Sequence, residues 1–173
     1  MARDRLELVL LSAAGCSVCS GGQGVFTYTY TTNSARGLLE TNAWATKTVE
    51  ALPDGSTNTL YTNAFGQVML GGADGTSQWL SDTRYDADGR VVLEAGPTTV
   101  TGYSEGDADL VGFSGGNAAY LSDTVGLVTG YTYGTSTMAT TSAAGDALGY
   151  LKQAAIRQGR PEPRSRSTRP RTS

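Results

Sequence analysis

Residues 67–94 read QVMLGGADGTSQWLSDTRYDADGRVVLE, three apolar-rich stretches separated by two Asp-Gly corners. The stretches 67–70, 78–85 and 90–94 carry branched and aromatic side chains that suit a pleated, half-buried surface. The corners, Ala73-Asp74-Gly75 and 86–89, offer a glycine preceded by Asp, and glycine accepts the positive φ that a hairpin turn demands. Strands joined this closely must run antiparallel. Working outward, 44–52 runs into Pro53-Asp54-Gly55, and 57–62 runs into Asn63 to Gly66. Further back, 25–32 (VFTYTYTT) places Phe26, Tyr28 and Tyr30 on one face and threonines on the other.

Downstream, 96–116 is rich in glycine with Glu105, Asp107 and Asp109 between, and reads as a long loop. Strand character resumes at 117–123 and 127–133. Helical signals are confined to 5–14 and 145–158, where Ala, Leu, Lys and Gln collect. Past Gly159 the chain becomes RPEPRSRSTRPRTS, with no apolar residue to bury. The expected fold is all-β: a meander of antiparallel β-hairpins over 15–158, short helical segments near both ends, an N-terminal segment 1–14, and a disordered basic tail 159–173.

Composition excludes several chemistries. The chain has 173 residues, room for one modest domain, and no histidine. A Ser-His or Cys-His nucleophile pair and a His-ligated zinc are therefore ruled out. The net charge of −3 divides unevenly: residues 1–151 hold six basic and fifteen acidic side chains, a net −9, and residues 152–173 hold seven basic and one acidic, a net +6. An acidic body repels duplex nucleic acid, so no nucleic-acid partner is expected. No apolar run approaches the roughly 20 residues of a membrane span, and none is expected. The start, MARDRLELVLLSAAG, has the outline of an export signal, but Asp4 and Glu7 interrupt it and leave an apolar core of only four residues, 8–11.

Three windows line up as an internal repeat: LYTNAFGQVML at 60–70, RYDADGRVVLE at 84–94 and YLSDTVGLVTG at 120–130. The shared landmarks are Tyr61 and Gly66; Tyr85, Asp86, Gly89 and Arg90; and Tyr120 and Gly126. Tyr85-Asp86-Ala87-Asp88-Gly89-Arg90-Val91 carries every defined position of the YD repeat, and the chain resembles the Rhs/YD-repeat family. CSVCSGGQG, the 61–70 segment and PTTVTGY extend the likeness to the long Rhs-type proteins of planctomycetes, over roughly 14–158. Physically, Asp heading the turn accepts backbone N–H bonds, Gly takes the left-handed conformation, and Tyr packs over the strand leading in. Arg90 is placed to pair with Asp86 or Glu94, worth ~0–1 kcal/mol at a surface.

Other candidate sites have plainer readings. Cys16 and Cys19 have the spacing of half a zinc site, but a third Cys is missing, leaving a local disulfide or redox pair or plain thiols, and no metal is assigned. Asp86-Ala87-Asp88-Gly89 resembles part of a calcium loop, yet the first and last ligand positions fall on Arg84 and Ala95. Glu105, Asp107 and Asp109 form either a weak cation site or an acidic solvated loop. No phosphate-cradling glycine motif stands in the right context. Trp44, Trp79 and the tyrosine rows either stack on sugars or pack across strands.

The expectation is a non-enzymatic scaffold segment without cofactor. The resemblance implies a fragment of a longer chain whose other repeats are its partners, in a shell or cell-surface protein whose cargo is a toxin domain or a glycan. The alternative is a carbohydrate-binding or adhesion module. A third reading is a product with no independent function and aggregation-prone strand edges.

Overall fold

The computed structural model describes residues 13–14, 25–33, 40–74, 79–122, 124–142 and 144–158. Eleven strands occur among them: β1 (Ala13–Ala14), β2 (Val25–Thr32), β3 (Trp44–Ala51), β4 (Thr57–Asn63), β5 (Val68–Asp74), β6 (Trp79–Tyr85), β7 (Val91–Ala95), β8 (Phe113–Ser114), β9 (Asn117–Ala118), β10 (Leu127–Tyr133) and β11 (Leu151–Gln158). Nine form one sheet in the order β1-β2-β3-β4-β5-β6-β7-β10-β11, every neighbour antiparallel. Among the described residues the strand order skips once, from β7 to β10. Residues 96–122 leave the sheet and carry the small β8–β9 hairpin, and β10 then lies beside β7.

Three hairpins turn by one device. Leu52, Asn63 and Asp86 each donate N–H to the carbonyl four residues on and accept N–H from the glycine three residues on. Those glycines, Gly55, Gly66 and Gly89, have φ of 86, 78 and 76°. This is a type I turn closed by a left-handed glycine that bulges the returning strand. Asn63 Oδ1 accepts N–H from Phe65 and Gln67, and Asp86 Oδ1 accepts N–H from Asp88 and Arg90. Asp86 Oδ2 also receives Arg90 Nε at 2.8 Å, so of the two acids open to Arg90 in the sequence, Asp86 is its partner, with Asp88 beside it.

The expected helix over 145–158 is corrected: its second half is β11. Seven register pairs with β10, from Leu127↔Gln158 to Tyr133↔Leu151, satisfy backbone groups that so short a helix would hold only marginally in water. No helix occurs among the described residues. Residues 5–12 of the N-terminal helical expectation, Cys16, Cys19 and the tail 159–173 lie outside them, while Ala13–Ala14 is strand. The strand expected over 117–123 is only Asn117–Ala118, followed by turns and a bridge from Leu121 to Val100.

The core lies between one face of the sheet and the 96–122 segment, which acts as a cover. Tyr61, Leu70, Leu80, Leu93, Ala95 and Val128 meet Val100, Leu110, Val111, Ala118 and Leu121 from the cover. The cover satisfies much of its own backbone: Thr101 N–H bonds Tyr120 C=O, Ser104 bonds Leu110, and Ser122 bonds Thr99.

Candidate functional site

Register places one row of side chains across seven strands on the covered face: Lys47, Tyr61, Leu70, Asp82, Ala95, Val128 and Arg157. Polar groups meet the covered face at three points. At one end Tyr61, wholly buried, donates its hydroxyl to Glu105 Oε1 at 2.7 Å, and Lys47 Nζ lies 2.6 Å from the same oxygen. Trp44 and Tyr103 meet the Tyr61 ring edge-on at 5.5 and 5.4 Å. Burial, then the hydrogen bonds to Tyr103 and Glu105, raise the Tyr61 pKa far above its ordinary value.

Arg84 forms the second point. Its guanidinium reaches Asp109 Oδ2 at 2.9 Å and lies 4.4 Å over the Phe113 ring. Asp109 also accepts N–H from Gly112 and Phe113. One carboxylate thereby folds the cover around itself and fastens it to β6. The next residue, Leu110, is fully buried at φ 67°, a left-handed conformation costing about 1–2 kcal/mol in a residue with a Cβ.

Asp82 is the third point. It is 1% exposed, its register partners are Leu70 and Ala95, and neither carboxyl oxygen has a hydrogen-bond partner among the described residues. Burial pushes its pKa up to about 7, against the opposing pull of Arg84 and with a further push from Asp109.

A second polar arrangement runs along the turn end of the sheet. Tyr85 donates its hydroxyl to Val68 C=O, and Tyr133 donates to Val91 C=O, both at 2.7 Å. Val68 and Val91 each stand one residue beyond a turn, so each tyrosine stitches its strand to the preceding hairpin. Gln67 Nε2 adds a bond to Gly89 C=O, and Arg90 lies 4.5 Å over the Tyr133 ring. Burial discourages ionisation of Asp86, but its bonds to Arg90 and the Arg90 charge outweigh this and lower its pKa. The Asp86–Asp88 pair is thus occupied by Arg90 and backbone N–H groups, and no cluster of three metal-binding side chains occurs among the described residues.

The repeat landmarks fall as follows. Tyr85, Asp86, Gly89 and Arg90 make one hairpin turn, and Gly66 takes the place of Gly89 in the turn before it. Tyr61 is offset: matching Asn63 with Asp86 pairs Thr62 with Tyr85 and Tyr61 with Arg84, which turns Tyr61 toward the cover. Tyr120 lies in a turn of the cover and packs on the core. Gly126, at φ 84°, passes so close to Thr99 that an added Cβ would stand 2.1 Å from Thr99 Oγ1. The second stitching tyrosine is Tyr133, which lies outside the three windows. The windows matched tyrosines by spacing to glycine, whereas the turn is set by the residue that accepts the N–H bonds, and Asn does this as Asp does.

Sequence reasoning missed Asp82 and the Arg84–Asp109 pair. Period-two alternation from Leu80 does put Asp82 and Arg84 on one face. Which face is covered, and by what, has no local signal. Trp44 is buried, leaving Trp79, 61% exposed, as the accessible indole. A trough of about 470 Å³ lies on the β10–β11 wing, lined by Gly130, Thr132, Lys152, Gln153 and Arg157 among others. No described helix is long and apolar enough to cross a membrane. Comparisons with known family models, with curated proteins and with solved structures found no match for this chain.

Proposed function

We propose that the chain is a non-enzymatic structural segment of a YD-repeat scaffold of Rhs type, in which successive hairpins lie side by side and are locked at their turns, as part of a longer wall at the cell exterior. The observation that carries this reading is the pair of tyrosine stitches, Tyr85 to Val68 and Tyr133 to Val91, which join each hairpin to the one before it. A bond of this kind adds about 1 kcal/mol and is made twice, at Tyr85 within the motif and at Tyr133 beyond the third window, which suits a protein stabilised by neighbour contacts. The outward edge of β11 has no strand partner among the described residues, and in this reading it receives the next hairpin.

The test is a tandem fusion of two copies. A scaffold segment should melt as one cooperative unit, at a higher temperature than the single chain, and Tyr85→Phe with Tyr133→Phe should remove the gain. Independent melting of the two copies at the single-chain temperature would count against the reading. A second reading, a carbohydrate-binding or adhesion module, is supported by the trough on the β10–β11 wing, lined by Tyr131, Tyr133, Lys152 and Arg157 among others. Saturable binding on a glycan array, lost in Arg157→Ala, would favour it over the scaffold.

A further inference from the structure

Asp82 and Arg84 stand two residues apart on β6 and share the covered face. Arg84 is the tie between sheet and cover, through Asp109 and Phe113. Asp82 lies beside it, with both oxygens buried and without a hydrogen-bond partner among the described residues. The titratable or charged groups near Asp82 are Arg84 and Tyr85 on its own strand and Asp109 in the cover. From β5, β7 and β10 the row presents only Leu70, Ala95 and Val128. An ionised carboxylate without a partner is very costly in such a place, whereas the neutral acid costs far less. Arg84 therefore has two carboxyl groups within its range and can compensate only one fully.

We infer that Asp82 is a proton-operated latch for the cover. As a neutral acid it rests in the apolar row while Arg84 holds Asp109. When its proton passes to solvent, the new carboxylate draws the Arg84 guanidinium to itself, and Asp109, with the strained Leu110 behind it, is released from the sheet. The cover opens and the core row becomes accessible, while the antiparallel ladders persist.

The direction with pH follows from burial. The folded-state pKa of Asp82, about 7, lies above its ordinary 3.8, so the unfolded chain loses this proton first as pH rises. The stabilisation is complete below about pH 3.8 and is lost as pH climbs through about 7. Between pH 5 and pH 8 the closed cover should weaken roughly a hundredfold.

Carboxyl NMR titration and amide exchange on the full chain test this. The Asp82 carboxyl resonance should titrate near 7. Amides of Thr101, Ser104 and Tyr120, bonded within the cover, should lose protection about a hundredfold from pH 5 to pH 8 beyond the intrinsic rate change, while those of β3 and β4 keep theirs. Asp82→Asn, neutral and of the same shape, should hold the cover shut at pH 8. Titration near 4, equal loss of protection in sheet and cover, or an unchanged pH response in Asp82→Asn would overturn the latch. If Asp82→Asn fails to fold, the wild-type titration and exchange pattern decide alone.

Discussion

β4 and β11 are strands of similar length in one sheet, and their surroundings are opposite. On β4 every second residue, Thr59, Tyr61 and Asn63, is buried; on β11 seven of eight residues are exposed, including Leu151 and Ile156. Both carry well-formed antiparallel ladders. What separates them is the cover, which lies over the middle strands and reaches Val128 on β10 but leaves β11 bare. Backbone pairing builds this sheet, but burial of a second layer builds its core, and the energetics of the two regions should differ accordingly.

That contrast can be broken most forcefully at Tyr61. Truncation to Ala removes a ring packed between Trp44 and Tyr103, and thermal or urea unfolding should report a loss of about 3–5 kcal/mol. Asp109→Ala leaves Arg84 without its carboxylate and two cover N–H groups without their acceptor. A loss of about 3 kcal/mol is expected, with amide protection in the cover falling before that of β3–β4.

Two glycines of nearly the same φ sharpen the comparison further. Gly126→Ala drives a Cβ into Thr99 of the cover and should cost about 3 kcal/mol, whereas Gly66→Ala meets nothing within 4 Å and should cost about 1 kcal/mol for backbone strain alone. The smallest effect belongs to the wing. Ile156→Ala should change stability by no more than about 0.5 kcal/mol, and a loss above 2 kcal/mol would mean that something covers β11 in solution.

Much of this architecture is legible in the chain. The bounds of β2 and β10 follow directly from Thr/Tyr/Val alternation, and the turns at Gly55, Gly66 and Gly89 follow from glycine placement. β11 is not legible, because LKQAAIRQ has helical propensity and becomes a strand only where β10 offers it a ladder. The glycine-rich 96–116 stretch reads as loop and is largely irregular, but its role as the second half of the core rests on Val100, Leu110 and Val111, three apolar residues too scattered to show a period. Asp82 is hidden for a related reason. Its alternation with Leu80 is visible, yet a polar residue in that position normally marks the solvent face.

By itself, then, the amino-acid sequence determined the hairpins, their antiparallel sense and the glycine corners, since these depend on residues within a few positions of one another. Only the tertiary structure decided which face of the sheet is roofed, that Asp109 meets Arg84, that Tyr61 turns inward where Tyr85 stitches two hairpins, and that Asp82 is sealed away from water. Those outcomes depend on contacts between residues 17 to 44 positions apart, and a local pattern carries no record of them.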